Sequence, residues 1–257
     1  MASRHSIDIN CDMGESFGIY TIGQDEKIFP YITSCSIACG FHGGDPLHIE
    51  KTIIHALHEQ VSIGAHPSYP DLAGFGRRKM SIAPAELKAI VKYQIAAIKG
   101  MTEAEGGRLA YVKPHGALYN TASDQEPECL AIIQAILEID DRLPLMGLAG
   151  SRMEELAQQY QHPFIAEAFA DRHYEPDGQL RSRAKEDAVI LDPAIAAEQV
   201  LSIILKQEVI AIDGSVIPIK AHSICIHGDN PQAVDILQAI DKKLEEHGIQ
   251  KQSIAAL

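Results

Sequence analysis

The sequence of 257 residues contains no tryptophan and no apolar run long enough to span a membrane, and it has only five cysteines. The cysteines lie at positions 11, 35, 39, 129 and 225, are odd in number and form no Cys-x-x-Cys pair, which favours reduced thiols over a disulfide framework. The first residues carry no signal-peptide pattern. These absences predict a cytoplasmic protein with no membrane partner.

Clusters of basic residues are also absent. Asp and Glu number 35 against 22 Lys and Arg, which gives a formal net charge of -13. A protein of this charge is a poor partner for nucleic acid or anionic lipid. Neither the phosphate-loop pattern Gly-x-x-x-x-Gly-Lys-Ser/Thr nor the zinc-binding pattern His-Glu-x-x-His occurs. The sequence therefore shows neither a P-loop nucleotide site nor this zinc motif.

Short apolar segments alternate with amphipathic helical segments along the chain. The predicted strands cover residues 7–10, 35–39, 61–65, 109–113, 145–148, 164–168 and 223–227. This alternation is typical of a parallel α/β protein. Polar residues follow at least five of these strands, and only a closed barrel gathers every strand end around one mouth. We therefore predict a single domain over residues 1–257, folded as a seven-stranded parallel β/α barrel of the TIM-like type.

The first strand carries an unusual set of polar residues. Asp8, Asn10 and Asp12 alternate with apolar residues, so the three polar side chains share one face. Glu15 follows on the loop between two glycines. Buried carboxylates need partners, protons or a metal. The chain is therefore expected to bring such partners to the end of this strand.

The other strand ends supply histidines, acids and cations. Histidine is a general acid or base and a metal ligand, and carboxylates orient imidazoles or act as bases. Such groups together can activate water against a carbonyl. The predicted site residues are Asn10, Asp12, Glu15, His42, His66, Arg77, Lys113, His115, Glu167, Asp171, Arg172, His227 and Asp229.

Two features of this set leave alternatives open. Asp12, His42 and His66 would offer mixed nitrogen and oxygen ligands to zinc, manganese or iron, but no recognised metal motif is present. We favour metal-free acid–base chemistry and leave the metal undetermined. Lys113 could form a Schiff base, stabilise an oxyanion or bind a carboxylate, or it could form only a salt bridge with Asp12 or Glu167.

Other residues carry a structural interpretation beside the functional one. Arg77 lies in a glycine-rich and arginine-rich loop over residues 74–78 that is either an anion-binding lid or an ordinary surface loop. Asp45 and Asp229 each precede a predicted helix, so both are candidate helix caps as well as candidate site residues. We predict that Cys39 is a small buried thiol, although it lies three residues before His42.

Six motifs in this order resemble the LamB/YcsF family, and they extend over almost the whole chain. They are Asp8-x-Asn10-x-Asp12-x-Gly14-Glu15, residues 38–46 (ACGFHGGDP), 64–71 (GAHPSYPD), 112–119 (VKPHGALY), 167–172 (EAFADR) and 226–229 (IHGD). Gly43 stands where the family pattern leads us to expect alanine. Each motif alone is weak, whereas the ordered set is specific.

The resemblance implies a seven-stranded barrel related to glycoside hydrolases and deacetylases. It also implies a hydrolase that opens the lactam of 5-oxo-L-proline to L-glutamate with ATP hydrolysis, working with two further subunits. Because no nucleotide motif is visible, we expect phosphorylation of the substrate to occur largely on the partners.

The hypothesis that follows assigns roles to the strand-end residues. Asp12 or His66 would be the base that activates water, and His115 or His227 would be the acid. Lys113 and Arg172 would meet the substrate carboxylate or phosphate, while Asp171 and Asp229 would orient histidines. One alternative is an ATP-independent, metal-dependent amidohydrolase or deacetylase. Another is a non-catalytic subunit that presents a small acid to a partner.

Overall fold

The computed structural model describes residues 5–254. The strands of this part of the chain are β1 (Ser6–Met13), β2 (Ser34–Ala38), β3 (Ser62–His66), β4 (Leu109–Val112), β5 (Leu145–Leu148), β6 (Phe164–Phe169), β7 (Glu208–Ile210), β8 (Val216–Pro218), β9 (Ser223–Ile226) and β10 (Gln250–Lys251). Seven parallel strands close into a barrel in the order β1-β2-β3-β4-β5-β6-β9, and β9 returns to pair with β1. The predicted seven-stranded β/α barrel is confirmed.

Helices connect the barrel strands. They are α1 (Asp25–Ile28), α2 (Pro46–His58), α3 (Pro84–Ala104), α4 (Gly116–Ala122), α5 (Glu126–Leu137), α6 (Arg152–Gln159), α7 (Pro193–Lys206) and α8 (Ala233–Glu246). The short helices α1 and α4 were not predicted, since neither is long enough for an amphipathic period to show in the sequence. Among the described residues, no helix is both long and apolar enough to cross a lipid bilayer.

Two small pairings complete the sheet structure. The strands β7 and β8 form a small antiparallel hairpin. The two-residue strand β10 pairs with the start of β1 and was not predicted. β1 is also longer than predicted, since it reaches Met13 through its pairing with β2.

The side chains of β1 divide between the two faces as predicted. Ile9, Cys11 and Met13 belong to the main apolar cluster. Asn10 instead contacts Glu167 of β6, which is not a neighbour of β1 in the barrel, so this contact crosses the interior. Asp8 accepts hydrogen bonds from the hydroxyls of Thr33 (2.7 Å) and Ser34 (2.8 Å), and also from the Ser223 hydroxyl of β9. Asp8 therefore braces the interior of the barrel.

Of the two predicted helix caps, Asp45 is confirmed and Asp229 is not. Asp45 caps α2, where its Oδ1 accepts hydrogen bonds from the backbone N–H groups of Leu47 (3.0 Å) and His48 (3.1 Å). Asp229 does not cap the last helix, because α8 begins only at Ala233. The N-cap residue of α8 is Gln232, which makes no side-chain cap hydrogen bond, and Asn230 Oδ1 accepts from the N–H of Gln232 at 3.0 Å in the turn before the helix.

The five cysteines are buried and unpaired, which agrees with the predicted reduced thiols. Cys39 is 6% exposed, and its thiol donates to the backbone carbonyl of Ile37. Burial raises the pKa of this thiol. Cys39 is therefore a packed core residue, as predicted, with little thiolate for nucleophilic attack.

Candidate active site

A buried ammonium group lies beneath the mouth of the barrel. Lys113 Nζ lies 2.9 Å from Asn10 Oδ1, 2.9 Å from Glu167 Oε1 and 2.8 Å from Asp12 Oδ1. Burial acts to lower the pKa of Lys113, but Asp12 and the other anionic partners outweigh it and raise that pKa well above its ordinary value. Lys113 is therefore a charged partner of carboxylates, which disfavours the Schiff base among the predicted roles.

Asp12 occupies the end of β1 between a lysine and a histidine. Its Oδ2 lies 3.3 Å from His66 Nε2, and its other oxygen pairs with Lys113. Burial alone would raise the pKa of Asp12, but the neighbouring His66 and Lys113 hold it well below its ordinary value. Asp12 is therefore a carboxylate at neutral pH, and 6% of its surface is exposed.

Three imidazoles and one carboxyl group form a compact cluster beside Asp12. His115 Nδ1 lies 3.0 Å from His66 Nε2 and 3.7 Å from Glu15 Oε1. His42 Nε2 lies 3.2 Å from the same Glu15 oxygen, and the His42 ring is stacked on His115 with centroids 3.6 Å apart. Ligand atoms of these four buried residues all lie within 4.8 Å of one another. Such a cluster has the residue types of a metal site.

Burial controls the charge state of this cluster. It lowers the pKa of His42 and of His115 well below the ordinary histidine value, and neighbouring imidazoles add to that shift. Burial, reinforced by Asp12, raises the pKa of Glu15 well above the ordinary carboxyl value. His42 and His115 are therefore neutral, a form that can accept a proton or bind a metal.

The glycine-rich loop closes over the histidines. Phe75 has a left-handed backbone (φ 55°), and its carbonyl accepts a hydrogen bond from His115 Nε2 at 2.9 Å. Gly76 follows with φ 66°, and a Cβ there would lie 2.7 Å from His115 Cδ2 and 2.8 Å from His42 Cβ. Only glycine fits this close approach without strain.

A second histidine–carboxylate pair lies on another side of the mouth. His227 Nδ1 lies 2.8 Å from Asp171 Oδ1, and Asn230 donates to the second Asp171 oxygen at 3.1 Å. Burial would raise the pKa of Asp171, but His227 and these hydrogen bonds keep it below its ordinary value. The predicted role of Asp171 in orienting a histidine fits this geometry.

Three arginines lie at the rim of a cavity of about 410 Å³, a size that suits a small-molecule ligand. Arg77 pairs with Asp229, and its guanidinium lies 4.8 Å from the centroid of the Phe75 ring. Arg172 donates to the backbone carbonyls of Ala188 and Arg181. Burial and the nearby Arg183 lower the pKa of Arg172 to about 10. The rim therefore carries concentrated positive charge.

The structure brings the predicted residues to one end of the barrel, but not all of them border the cavity. Those that line it are Asp12, His66, Arg77, Lys113, His115, Arg172 and His227. Asn10 and Glu167, predicted as substrate-binding, are fully buried around Lys113 and lie outside this lining. Asp229 was predicted to orient a histidine but pairs with Arg77, because the loop over residues 74–78 reaches across to it.

Sequence reasoning missed several contributors. Tyr119 donates its hydroxyl to Glu167 Oε2 at 2.8 Å, and Cys225 Sγ lies 3.2 Å from Lys113 Nζ. Arg183 lines the cavity from the loop that follows β6. Tyr119 ends one of the six motifs, which was a usable signal. Arg183 lies in a polar loop whose sequence resembles ordinary solvated surface.

The fold and these contacts define a β/α-barrel protein with a histidine- and carboxylate-rich cavity at the carboxyl ends of its strands. The chain belongs to the LamB/YcsF family, whose model matches residues 7–257.

A curated relative supports this membership. The A subunit of 5-oxoprolinase from Photorhabdus laumondii is 49% identical over 243 residues, which cover 95% of this chain and 96% of that protein. Among solved structures, a lactam utilization protein from Thermus thermophilus matches with a TM-score of 0.91 and 40% identity, over 97% of this chain and 100% of that one.

A more distant structure shares the fold alone. The family 4 carbohydrate esterase from Streptomyces lividans has a TM-score of 0.54 at 8% identity, over 97% of this chain and 93% of that one. This likeness shows that the two proteins share a barrel fold and says nothing about the chemistry of this chain.

Proposed function

We propose that this chain is the A subunit of an ATP-dependent 5-oxoprolinase, a hydrolase that opens the lactam of 5-oxo-L-proline to L-glutamate. The names of the relatives support the substrate class. The observation that carries the proposal is the cavity itself, because ionised Asp12, His66, His227 and a rim of arginines border one space of small-molecule size. That space provides groups for water activation, protonation and anion binding.

The lactam carbonyl must be activated before water can attack it. Amide resonance makes a lactam carbonyl a poor electrophile, and phosphorylation of its oxygen by ATP would activate it. Water then adds to the ring carbon, and the C–N bond breaks as the nitrogen is protonated, which gives an acyl phosphate. A second water hydrolyses this acyl phosphate to glutamate and inorganic phosphate. We propose that phosphorylation occurs largely on two partner subunits, with ATP bound mainly there. We also place the complex in the cytoplasm and treat residues 1–257 as a single catalytic domain.

Water activation is assigned to Asp12, the carboxylate beside His66. Asp12 is held ionised beside His66, and both line the cavity where a water molecule would approach the ring carbon. Removing a proton from that water as it attacks is general-base catalysis, which contributes typically about 10²–10⁴-fold.

Protonation of the leaving ring nitrogen is assigned to His227. Its Nδ1 is held by Asp171, which leaves Nε2 to deliver a proton. His115 is the weaker candidate, because its Nε2 is engaged by the Phe75 carbonyl and its Nδ1 faces His66. Asp171 would stabilise the imidazolium form of His227 before transfer.

The substrate anions are assigned to the cationic rim. Arg77, Arg172 and Arg183 border the cavity, and Lys113 lies at its floor. Guanidinium groups bind carboxylates and phosphates through paired hydrogen bonds. One arginine would bind the substrate carboxylate, and the others would meet the phosphoryl group.

The test is an assay for glutamate and phosphate from 5-oxoproline, run with the chain alone and then with its two partners and ATP. We expect turnover only in the complete mixture, and a loss of about 10²-fold or more for Asp12→Asn and for His227→Gln. Lys242→Gln on the exposed face of α8 is the control and should be fully active.

Three outcomes would contradict the proposal. Full turnover by the chain alone with ATP would contradict the assignment of phosphorylation to the partner subunits. Glutamate formed without ATP would favour an independent amidohydrolase. Unchanged turnover of the reconstituted complex with His66→Ala and His115→Ala would favour a subunit that only presents the substrate.

A further inference from the structure

Backbone carbonyls determine which nitrogen of His66 carries the proton. His66 Nδ1 lies 2.7 Å from the carbonyl oxygen of Lys113. A carbonyl only accepts hydrogen bonds, so Nδ1 must be protonated. In the neutral ring, Nε2 therefore presents a lone pair, and it faces the cluster.

His115 carries its proton on the other ring nitrogen. His115 Nε2 lies 2.9 Å from the carbonyl oxygen of Phe75 and must donate to it. Its Nδ1 therefore presents a lone pair. This atom lies only 3.0 Å from His66 Nε2, so two acceptors face each other.

Carboxyl oxygens add to this concentration of lone pairs. Asp12 Oδ2 lies 3.3 Å from His66 Nε2, and Glu15 Oε1 lies 3.7 Å from His115 Nδ1. All these residues are at most 6% exposed, so water does not screen the repulsion. A positive species between the lone pairs is required, and it is either a proton or a metal ion.

We propose that Glu15, His42, His66 and His115 form a binding site for a divalent transition metal of the zinc class. Three imidazoles and one carboxylate are a donor set that suits Zn²⁺, Mn²⁺ or Fe²⁺. Bonds of about 2.1 Å in a tetrahedral site separate neighbouring ligand atoms by about 3.4 Å. Three of the separations in the cluster, 3.0, 3.2 and 3.7 Å, bracket that value, and all four ligand atoms lie within 4.8 Å of one another.

The hydrogen bonds of the other ring nitrogens of these histidines support the metal assignment for His66 and His115. Metal-bound histidines usually donate their other ring N–H to a carbonyl or carboxylate, as His66 and His115 both do here. His42 differs, because its Nδ1 has no hydrogen-bond partner among residues 5–254, and its ring is nearly parallel to His115 at 2°. Two stacked and nearly parallel imidazoles cannot both direct their in-plane lone pairs at one point. His42 is therefore the weakest of the four ligands.

Access to the site comes from the cavity. His66 and His115 line the cavity, whereas Glu15 and His42 lie behind them. Because His42 is the weakest ligand, a metal held by Glu15, His66 and His115 would keep its fourth position for water on the cavity side, where it could supply Lewis-acid activation of that water. Metal binding itself does not depend on the proposed function, and it can be measured without turnover.

The experiment uses the full chain, stripped of metal by a chelator and titrated with Zn²⁺ and Co²⁺. We expect one metal per chain by elemental analysis, visible absorption bands of bound Co²⁺ and a midpoint of thermal unfolding that rises with metal concentration. His66→Ala and Glu15→Gln should each weaken affinity by at least about tenfold, and His42→Ala by less.

The matched control is His162→Asn. His162 is also buried, at 5% exposure, and neither ring nitrogen has a partner among the described residues, but it precedes β6 at the opposite end of the barrel. We expect this variant to bind metal like the wild type. Circular dichroism of each variant shows whether it is folded.

Two results would overturn the proposal. One is a folded wild-type protein that takes up neither ion and shows no shift in its unfolding midpoint, which would assign the cluster to a shared proton. The other is equal affinity in the wild type, His66→Ala and Glu15→Gln. Because neither result depends on 5-oxoproline, failure here is distinguishable from failure of the proposed function.

Discussion

Lys113 Nζ lies 2.9 Å from Glu167 Oε1, a contact between residues 54 positions apart in the chain that crosses the interior of the barrel. Both side chains are at most 2% exposed. The pair joins β6 to the residue that follows β4, and it also holds the ammonium beside Asp12. The charged floor of the cavity is therefore part of the structural core.

Lys113→Met tests the stabilising role of this pair. The variant leaves Glu167 and Asp12 buried without their cation, and removing one partner of a buried ion pair costs about 3–5 kcal/mol. We expect the free energy of unfolding, measured by urea denaturation at pH 7, to fall by this amount. Lys88→Met, which removes an exposed pair with Glu138, is the control and should change that free energy only slightly. Equal effects of the two variants would argue against the buried pair as a stabilising element.

Asp171→Asn tests the orientation of His227. An asparagine retains the shape of the side chain but gives weaker support to a protonated imidazole at 2.8 Å. We expect glutamate formation by the reconstituted complex to fall by about 10²-fold or more. The unfolding midpoint should fall as well, because both oxygens of the buried Asp171 accept hydrogen bonds and the asparagine NH2 would face a donor, so circular dichroism must show that the variant is folded. Asp192→Asn at the N-terminus of α7 is a control remote from the cavity. Wild-type activity in Asp171→Asn would contradict the assignment of His227 as the general acid.

Gly76→Ala tests the close approach of the loop to the histidines. The new Cβ would lie 2.7 Å from His115 Cδ2, so the loop or both rings must shift. We expect the unfolding midpoint and the catalytic rate to fall together. Gly106→Ala has a similar positive φ of 79° but meets nothing within 4 Å. This control should lose about 1 kcal/mol through backbone strain while its activity is unchanged. Full activity in Gly76→Ala would show that the loop moves freely.

Asp45→Ala tests a helix cap outside the cavity. Asp45 accepts from two N–H groups of α2, and losing such a cap costs about 0.5–2 kcal/mol. Its pKa lies below the ordinary aspartate value, first because of the hydrogen bond from the Gly18 backbone. A lowered folded-state pKa gives stabilisation that is present above about pH 4 and is lost as pH falls further. We therefore expect the stability difference between wild type and variant to shrink in acid, as measured by denaturant unfolding from about pH 3 to pH 7. A difference independent of pH would exclude the carboxylate form as the cap.

Residue patterns within single elements were readable from the sequence. The alternation in β1 correctly predicted which side chains face the barrel interior, because strand geometry has a strict period of two. Asp45 correctly predicted the start of α2, because capping is a local interaction. The choice of a closed barrel also followed from sequence, since several strands end in polar residues and an open sheet would not gather them together.

Relations between elements were decided by the tertiary structure. The sequence could place His66 and His115 at strand ends, but only barrel closure brings their nitrogens to 3.0 Å and sets Phe75 and Lys113 carbonyls behind them. It likewise could not show that Asp229 faces Arg77, or that Arg183 reaches the cavity. Loop paths depend on long-range packing that leaves no period in the sequence. The sequence by itself determined the residue types and the barrel, whereas the closed barrel determined which lone pairs and charges meet.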